Sequence, residues 1–207
     1  DEHSLAGNED SHRATFAYLF DDKSLKLKSS YGTGFRYPSL YEMFFVYAAN
    51  SKSLGNVKAE NSKSFDFGFE KFFSDLNLNL EATYFNLRYS DVLEGWKTGI
   101  SSGLAYTTQN MPGTVKSQGL EFISKWALNK YISMGVNYTY TSTYDGAEQD
   151  DPDRSSSYYN AQMVRVPRHL INIKTNFSLP NYEGFDFSLI TKWSDMARDY
   201  GNGNRTY

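Results

Sequence analysis

Polar and apolar residues alternate with a period of two along most of this chain. Residues 64–70 set Phe65, Phe67 and Phe69 on one parity, with Asp66 and Glu70 on the other. Leu76, Leu78, Leu80, Ala82 and Tyr84 alternate with Asn77, Asn79, Glu81 and Thr83. Ile132, Met134, Val136, Tyr138 and Tyr140 alternate with Ser133, Gly135, Asn137, Thr139 and Thr141. The same rhythm holds His169, Ile171, Ile173, Thr175 and Phe177 against Leu170, Asn172, Lys174 and Asn176. It holds Phe185, Phe187, Leu189, Thr191 and Trp193 against Asp186, Ser188, Ile190 and Lys192. Successive side chains of a strand point to opposite faces, whereas a helix repeats every 3.6 residues, so each stretch predicts a strand.

Weaker alternation adds 12–20 and 24–31, and 104–127 reads as one long strand broken near Pro112-Gly113, where a bulge fits. The total is about eight strands, most of them longer than the roughly 5–6 residues usual in soluble sheets. Connections alternate in length: 21–23, 74–75, 129–130 and 180–184 are short, while 32–60, 92–103 and 145–165 are long. Membrane barrels sort their connections in this way, short turns on one side and long loops on the other. In the five clearest strands the apolar parity carries no Asp, Glu, Lys or Arg. A cation facing the middle of a bilayer costs about 2–4 kcal/mol, so that cleanness suits a lipid face, with the polar parity lining a lumen. The prediction is an all-β antiparallel up-and-down meander forming part of a transmembrane β-barrel.

Composition agrees. The 207 residues include 17 Tyr and 15 Phe, residues that favour strands and membrane interfaces. Tyr31, Tyr89, Trp126, Tyr140, Trp193 and Tyr200 fall near strand ends, where an interfacial girdle would lie. A mean hydropathy of -0.60 does not decide between soluble and barrel, because only alternate barrel residues face lipid. No apolar run of 18 or more residues predicts a membrane helix. With no cysteine, thiol catalysis and Cys-based zinc sites are excluded. A net charge of -3 without a basic block leaves nucleic acid no footing.

Four stretches carry a family resemblance. Tyr31-Gly32-Thr33-Gly34-Phe35-Arg36-Tyr37-Pro38-Ser39-Leu40-Tyr41-Glu42 resembles the G-x-x-F-R-A-P-S-x-x-E/Q segment of TonB-dependent receptors, with Tyr37 in place of the usual Ala. Residues 54–62 are similar to that family's G-N-P-x-L-x-P-E-x-S box, without its prolines. Residues 106–121 resemble its Y-x-N…G-x-E strand, and Val166-Pro167-Arg168-His169 its V-P-R-H strand start. The resemblance implies a 22-stranded outer-membrane barrel of a Gram-negative bacterium, surrounded by outer-membrane lipid. It implies active uptake of a small nutrient such as cobalamin or a ferric siderophore. TonB would act through an N-terminal plug domain absent from this chain, and the last barrel strands would also lie outside it.

No catalytic constellation is visible, so the chain is not read as an enzyme, and no cofactor is expected. The histidines His3, His12 and His169 show no metal-ligand spacing, and Gly32-Thr33-Gly34 lacks the Gly-Lys-Ser/Thr of a phosphate loop. Those glycines are expected to give a tight exit from a strand. His169 is expected to open a strand as a girdle or turn residue. Residues 145–153 are rich in carboxylates, but their spacing does not match an EF-hand, and a solvated loop is the plainer reading. Within the resemblance, the absence of histidine from 36–60 disfavours heme. Ligand contact is expected on the long loops: Tyr41, Phe44, Phe45, Tyr47 and Asn50, joined by Trp96, Tyr144, Tyr158 and Tyr159. Loop-to-loop packing accounts for the same aromatics equally well. Two rivals stay open, a passive porin or adhesin barrel and a secreted carbohydrate-binding β-sandwich.

Overall fold

The computed structural model describes residues 2–3, 7–20, 23–44, 57–100, 103–110, 113–146, 162–163, 165–179 and 184–197. In chain order, β1 (Glu2–His3) and β2 (Gly7–Asn8) form a small pair, followed by β3 (Arg13–Leu19) and β4 (Leu25–Arg36). A single helical turn, α1 (Leu40–Phe44), precedes β5 (Glu60–Phe73), which a 3-10 turn (Ser74–Leu76) joins to β6 (Leu78–Ser90). Then come β7 (Leu93–Ile100), β8 (Gly103–Asn110), β9 (Thr114–Ala127), β10 (Ile132–Asp145), β11 (His169–Leu179) and β12 (Phe185–Ser194). Eight of these make one antiparallel sheet in the order β3-β4-β5-β6-β9-β10-β11-β12, and β7 and β8 pair only with each other. The predicted meander is the observed one.

Two expectations about the middle of the chain are corrected. Residues 104–127 are not one strand with a bulge: β8 ends at Asn110 and pairs with β7, Gly113 takes φ +98°, and β9 begins at Thr114 in the main sheet. The segment predicted as a loop at 92–103 is instead mostly the first arm of the β7–β8 hairpin.

Register sorts the side chains into two faces. One row across all eight strands reads Tyr18, Leu27, Phe69, Ala82, Phe122, Tyr138, Ile171 and Trp193. The neighbouring row, on the opposite face, reads Leu19, Lys26, Glu70, Glu81, Ile123, Asn137, Asn172 and Lys192. The first face is called outer and the second inner. Glu60, Asp66, Glu70, Glu81, Glu121 and Asp186 all fall on the inner face, and no Asp or Glu of the eight strands falls on the outer one. Glu70 and Glu81 are directly opposed, which like charges resist. Lys28 relieves this by pairing with Glu81, and Asn79 Nδ2 donates to Glu70 at 3.0 Å.

Among the described residues nothing packs on the apolar face. Phe67 is 48 % exposed and Leu189 52 %, and the buried apolar residues among those described are only Met43, Val57, Ala59 and Val115. All four sit at the end of the sheet where the long connections gather. A soluble sandwich would have covered these Phe and Leu side chains with a second layer.

The tight turns sit at the other end, and their residues explain them. Lys23 and Asn77 take positive φ, +53° and +49°, to reverse the chain. Asn129 accepts hydrogen bonds from the backbone of Tyr131 and Ile132 at 2.8 and 3.0 Å, mimicking a backbone turn. Gly32 and Gly34 do not form the expected strand exit, since β4 continues to Arg36. They lie inside the strand on the inner face, where a Cβ at Gly34 would approach Ser62 Oγ to 3.0 Å. Of the girdle aromatics, Tyr31, Trp126, Tyr140 and Trp193 lie on the outer face, and Trp126 Nε1 donates to the Leu76 carbonyl at 3.0 Å. Tyr89 does not: it pairs with Ser62 and Val115 on the inner parity, and Tyr200 lies outside the described residues.

Candidate functional site

The long-connection end is built around Arg36, the last residue of β4. Pro38 ends the strand, and Ser39 and Glu42 then form a reciprocal cap on α1. Ser39 N and Oγ donate to Glu42 Oε2 at 2.7 and 2.8 Å, and Glu42 N donates to Ser39 Oγ at 3.2 Å. The cap turns the Glu42 carboxylate back onto the Arg36 guanidinium, which grips it through Nη1 and Nη2 at 3.0 and 2.9 Å. Arg36 Nε donates to Glu60, the first residue of β5. Arg36, foremost through its hydrogen bonds and with help from Ser39, holds the Glu42 carboxyl at about 2 although burial opposes it.

Glu60 passes the link onward. Its Oε1 accepts the N–H of Leu93, where β7 starts, at 2.7 Å. Asn110, closing β8, accepts from Lys58 N at 2.7 Å and donates to the Lys58 and Asp91 carbonyls at 3.0 and 2.7 Å. Two of the long connections are therefore fastened to each other by side chains that complete backbone hydrogen bonds. The third is fastened to β10. Buried Gln162 accepts from Thr143 N at 3.0 Å and donates to the Thr141 and Val166 carbonyls at 3.0 and 3.3 Å. Met163 joins Val92 around buried Val115, so an apolar contact ties this connection to the base of the hairpin.

The aromatics expected to meet a ligand are distributed unevenly on this base. Tyr41 and Phe44 lie in α1, held by the Arg36 knot. Trp96 lies in β7, where its backbone pairs with Thr107. Tyr144 stands on the outer face opposite Lys116, whose Nζ lies 5.5 Å from its ring centroid, so the fold does not gather it with the inner-face knot. Phe45, Tyr47, Asn50, Tyr158 and Tyr159 lie outside the described residues, as does the acidic stretch 147–153.

His169 opens β11 on the outer face, against the rings of Tyr138 and Tyr140, with Tyr138 Oη 2.9 Å from its Nδ1. His12 is occupied through its backbone, which donates to Thr33 Oγ1 at 2.9 Å. No group of three or more His, Asp or Glu among the described residues is placed to hold a metal. What sequence reasoning missed is the knot itself. Ser39 and Glu42, at capping-box spacing, were its one local signal. Nothing nearby in sequence announces Asn110 or Gln162, whose partners Lys58, Asp91, Thr141 and Thr143 lie 19 to 52 positions away.

Among the described residues the arrangement is a scaffold for loops. The family model described as TonB dependent receptor-like, beta-barrel matches residues 1–207. An uncharacterized TonB-dependent receptor of Haemophilus influenzae is 26 % identical over 176 residues, which cover 81 % of this chain and 47 % of the relative. The chain thus spans about half the length of that curated relative. A ferric enterobactin receptor of Pseudomonas aeruginosa, solved with enterobactin, superposes at a TM-score of 0.73 with 19 % identity, over 95 % of this chain and 29 % of the receptor. The siderophore receptor PirA of the same organism gives 0.66 and 17 %, over 94 % of this chain and 32 % of PirA. At these identities the two structures speak for the fold, and the family match across all residues speaks for membership. The chain belongs to the TonB-dependent receptor family and supplies a stretch of its β-barrel.

Proposed function

We propose that this chain is part of the wall and outer vestibule of an outer-membrane receptor importing a scarce nutrient, cobalamin or a ferric siderophore. Energy would arrive from TonB through a plug domain carried elsewhere in the receptor. The observation behind this reading is the sorting of charge by register: acids on one face of eight strands, none on the other. The outer-face cations, Lys63, Lys71, Arg88 and Lys116, each lie within three positions of a strand end, away from mid-bilayer. The inner face, with Lys28, Asp66, Glu81 and Glu121, suits a wet lumen that a plug can fill. Loops fastened at one end form a vestibule in which Tyr41, Phe44 and Trp96 meet a bulky ligand, a transport role and not a catalytic one.

Of the two cargoes, a ferric siderophore comes first in the test, because the two superposed Pseudomonas aeruginosa structures are described as a ferric enterobactin receptor and a siderophore receptor. The test is uptake of radio-iron siderophores and of radio-cobalt cobalamin by cells with and without this gene, each with and without TonB. The expected result is loss of one cargo in both the gene deletion and the TonB deletion. Uptake that survives without TonB, or an open conductance of the purified receptor in planar bilayers, would replace the reading with a passive pore.

A further inference from the structure

Three cations stand side by side on the outer face. Lys63 of β5 is directly opposite Arg88 of β6, and Arg88 directly opposite Lys116 of β9. Opposed residues hold their Cβ atoms about 4.5–5.5 Å apart, where like charges repel. Among the described residues the fold offers no relief on that face. It carries no Asp or Glu in the eight strands, and the ion pairs among the described residues, Lys28–Glu81, Arg36–Glu42 and Arg36–Glu60, use other groups. Lys63 and Arg88 are exposed, and the described neighbours of the row are neutral: Arg88 Nε donates to Asn86 Oδ1 at 3.2 Å, and Lys116 lies over the Tyr144 ring. A row of mutually repelling charges with neutral surroundings is stabilised by an anion from outside the chain.

Position decides which anion. The next outer row toward mid-sheet is Tyr31, Phe65, Asn86 and Gln118, then Phe67, Tyr84, Leu120 and Tyr140, then the apolar row from Tyr18 to Trp193. The cations therefore stand at the border of the apolar face, on the long-connection side. A solute in the lumen meets the other face. A lipid whose acyl chains cover Phe65, Phe67 and Leu120 places its headgroup at this row. Arg and Lys are suited to a phosphate there, Arg as a planar fork and Lys as a charge on an apolar stem.

We infer that Lys63, Arg88 and Lys116 form a site for the phosphorylated headgroup of an outer-leaflet lipid, which bridges β5, β6 and β9. The inference rests on the membrane placement proposed above and is independent of the cargo.

The test uses the complete receptor in mild detergent, with bis-phosphorylated lipid A, its dephosphorylated counterpart and inorganic phosphate as probes. Native mass spectrometry counts retained lipid. The K63Q/R88Q/K116Q variant is expected to retain about tenfold less phosphorylated lipid than wild type, in keeping with loss of charge-assisted hydrogen bonds. The dephosphorylated lipid should be held weakly by both. An inner-face control, K26Q/K192Q, should behave as wild type, and heat-modifiable gel mobility reports that each variant folds. If the triple variant does not fold, R88K replaces it, with partial loss of retention expected because the fork is gone and the charge kept. Equal retention by wild type and the folded charge variant overturns the site. So does displacement of the lipid by an equal concentration of inorganic phosphate, which would make it a site for free anions. A receptor that retains the lipid yet imports no cargo counts against the uptake reading alone.

Discussion

The guanidinium of Arg36 and the carboxylate of Glu42 meet through two parallel hydrogen bonds of 3.0 and 2.9 Å, joining the end of β4 to the helical turn that follows. Because Arg36 also donates to Glu60, and Glu60 accepts from Leu93, one side chain organises the start of two long connections. Arg36→Lys keeps the charge and loses the fork. The Arg36 side chain is half exposed, so solvent screening limits the stability loss to about 0.2–1 kcal/mol. The larger expected effect is local: limited proteolysis should cut within 37–59 and near Leu93 faster in the variant, with unchanged cutting at the turn near Asn129. Unaltered cleavage throughout would show that the knot does not hold the loops.

Glu42 makes the same contact sensitive to acid. Its carboxyl is held at about 2 by Arg36 and Ser39, below the ordinary 4.5. A depressed carboxyl pKa contributes stability that is complete above the unfolded value and fades as pH falls through the folded one. Loop order should therefore hold at neutral pH and decline between about 4.5 and 2, as protonation removes the acceptor. Hydrogen exchange of the α1 amides across that range is the measurement. Glu42→Gln should flatten the profile, with exchange already fast at neutral pH. A profile identical to wild type would place the acid response elsewhere.

Lys63 and Lys71 bracket Phe65, Phe67 and Phe69 on the outer face of β5. Eight positions of strand span about 27 Å, and a tilt of roughly 40° turns this into about 20 Å of depth, close to the apolar band of membrane barrels once the lysines snorkel. Phe67, at the middle, is the position where a cation would cost most. Phe67→Lys should destabilise the receptor in lipid vesicles by about 2–4 kcal/mol in urea titrations. Asn137→Lys, on the inner face, should cost far less. Equal costs at the two positions would mean that the face carrying Phe67 does not meet lipid.

How much of this was written locally follows from which contacts are local. The eight strands were readable because a sheet with one polar and one apolar face imposes alternation on every residue, as from Phe65 to Glu70. The β7–β8 hairpin was misread because it pairs outside the main sheet, and no two-sided environment imposes alternation on Leu93–Ile100 or Gly103–Asn110. The break near Pro112-Gly113 therefore looked like a bulge in one strand, and only the pairing of β8 with β7 and of β9 with β6 and β10 shows it to divide two strands. The face of Tyr89 was invisible for a related reason. Its strand end lies beyond the clear alternation, where Phe85 and Leu87 are also apolar and inward, and only pairing with Ser62 and Val115 fixes its side. At the long-connection end, the Ser39–Glu42 spacing was local and legible in principle. The Asn110 and Gln162 contacts join residues 52 and 19 positions apart, a relationship that only register and loop closure create.

Gln162 supplies the last test, because its chemistry can be changed without changing its shape. Its carbonyl oxygen accepts from the Thr143 backbone, and its amide nitrogen donates to the Thr141 and Val166 carbonyls. Both Thr143 and Gln162 are buried, so an orphaned group there has no water to turn to. Gln162→Ala leaves the Thr143 N–H unpaired, which costs about 1–3 kcal/mol. Gln162→Glu is nearly isosteric and keeps the acceptor for Thr143, but it sets a second oxygen against two carbonyl oxygens. It should therefore destabilise at least as much as the alanine variant at neutral pH. Acid should restore it partly, since a protonated carboxyl regains one donor. Protection of the Thr143 amide, relative to its intrinsic exchange rate at each pH, separates the two variants: lost in Gln162→Ala at every pH, and greater in Gln162→Glu at low pH than at neutral pH. If Thr143 stays protected in Gln162→Ala, the third connection is held by Val115 and Met163, and Gln162 only follows.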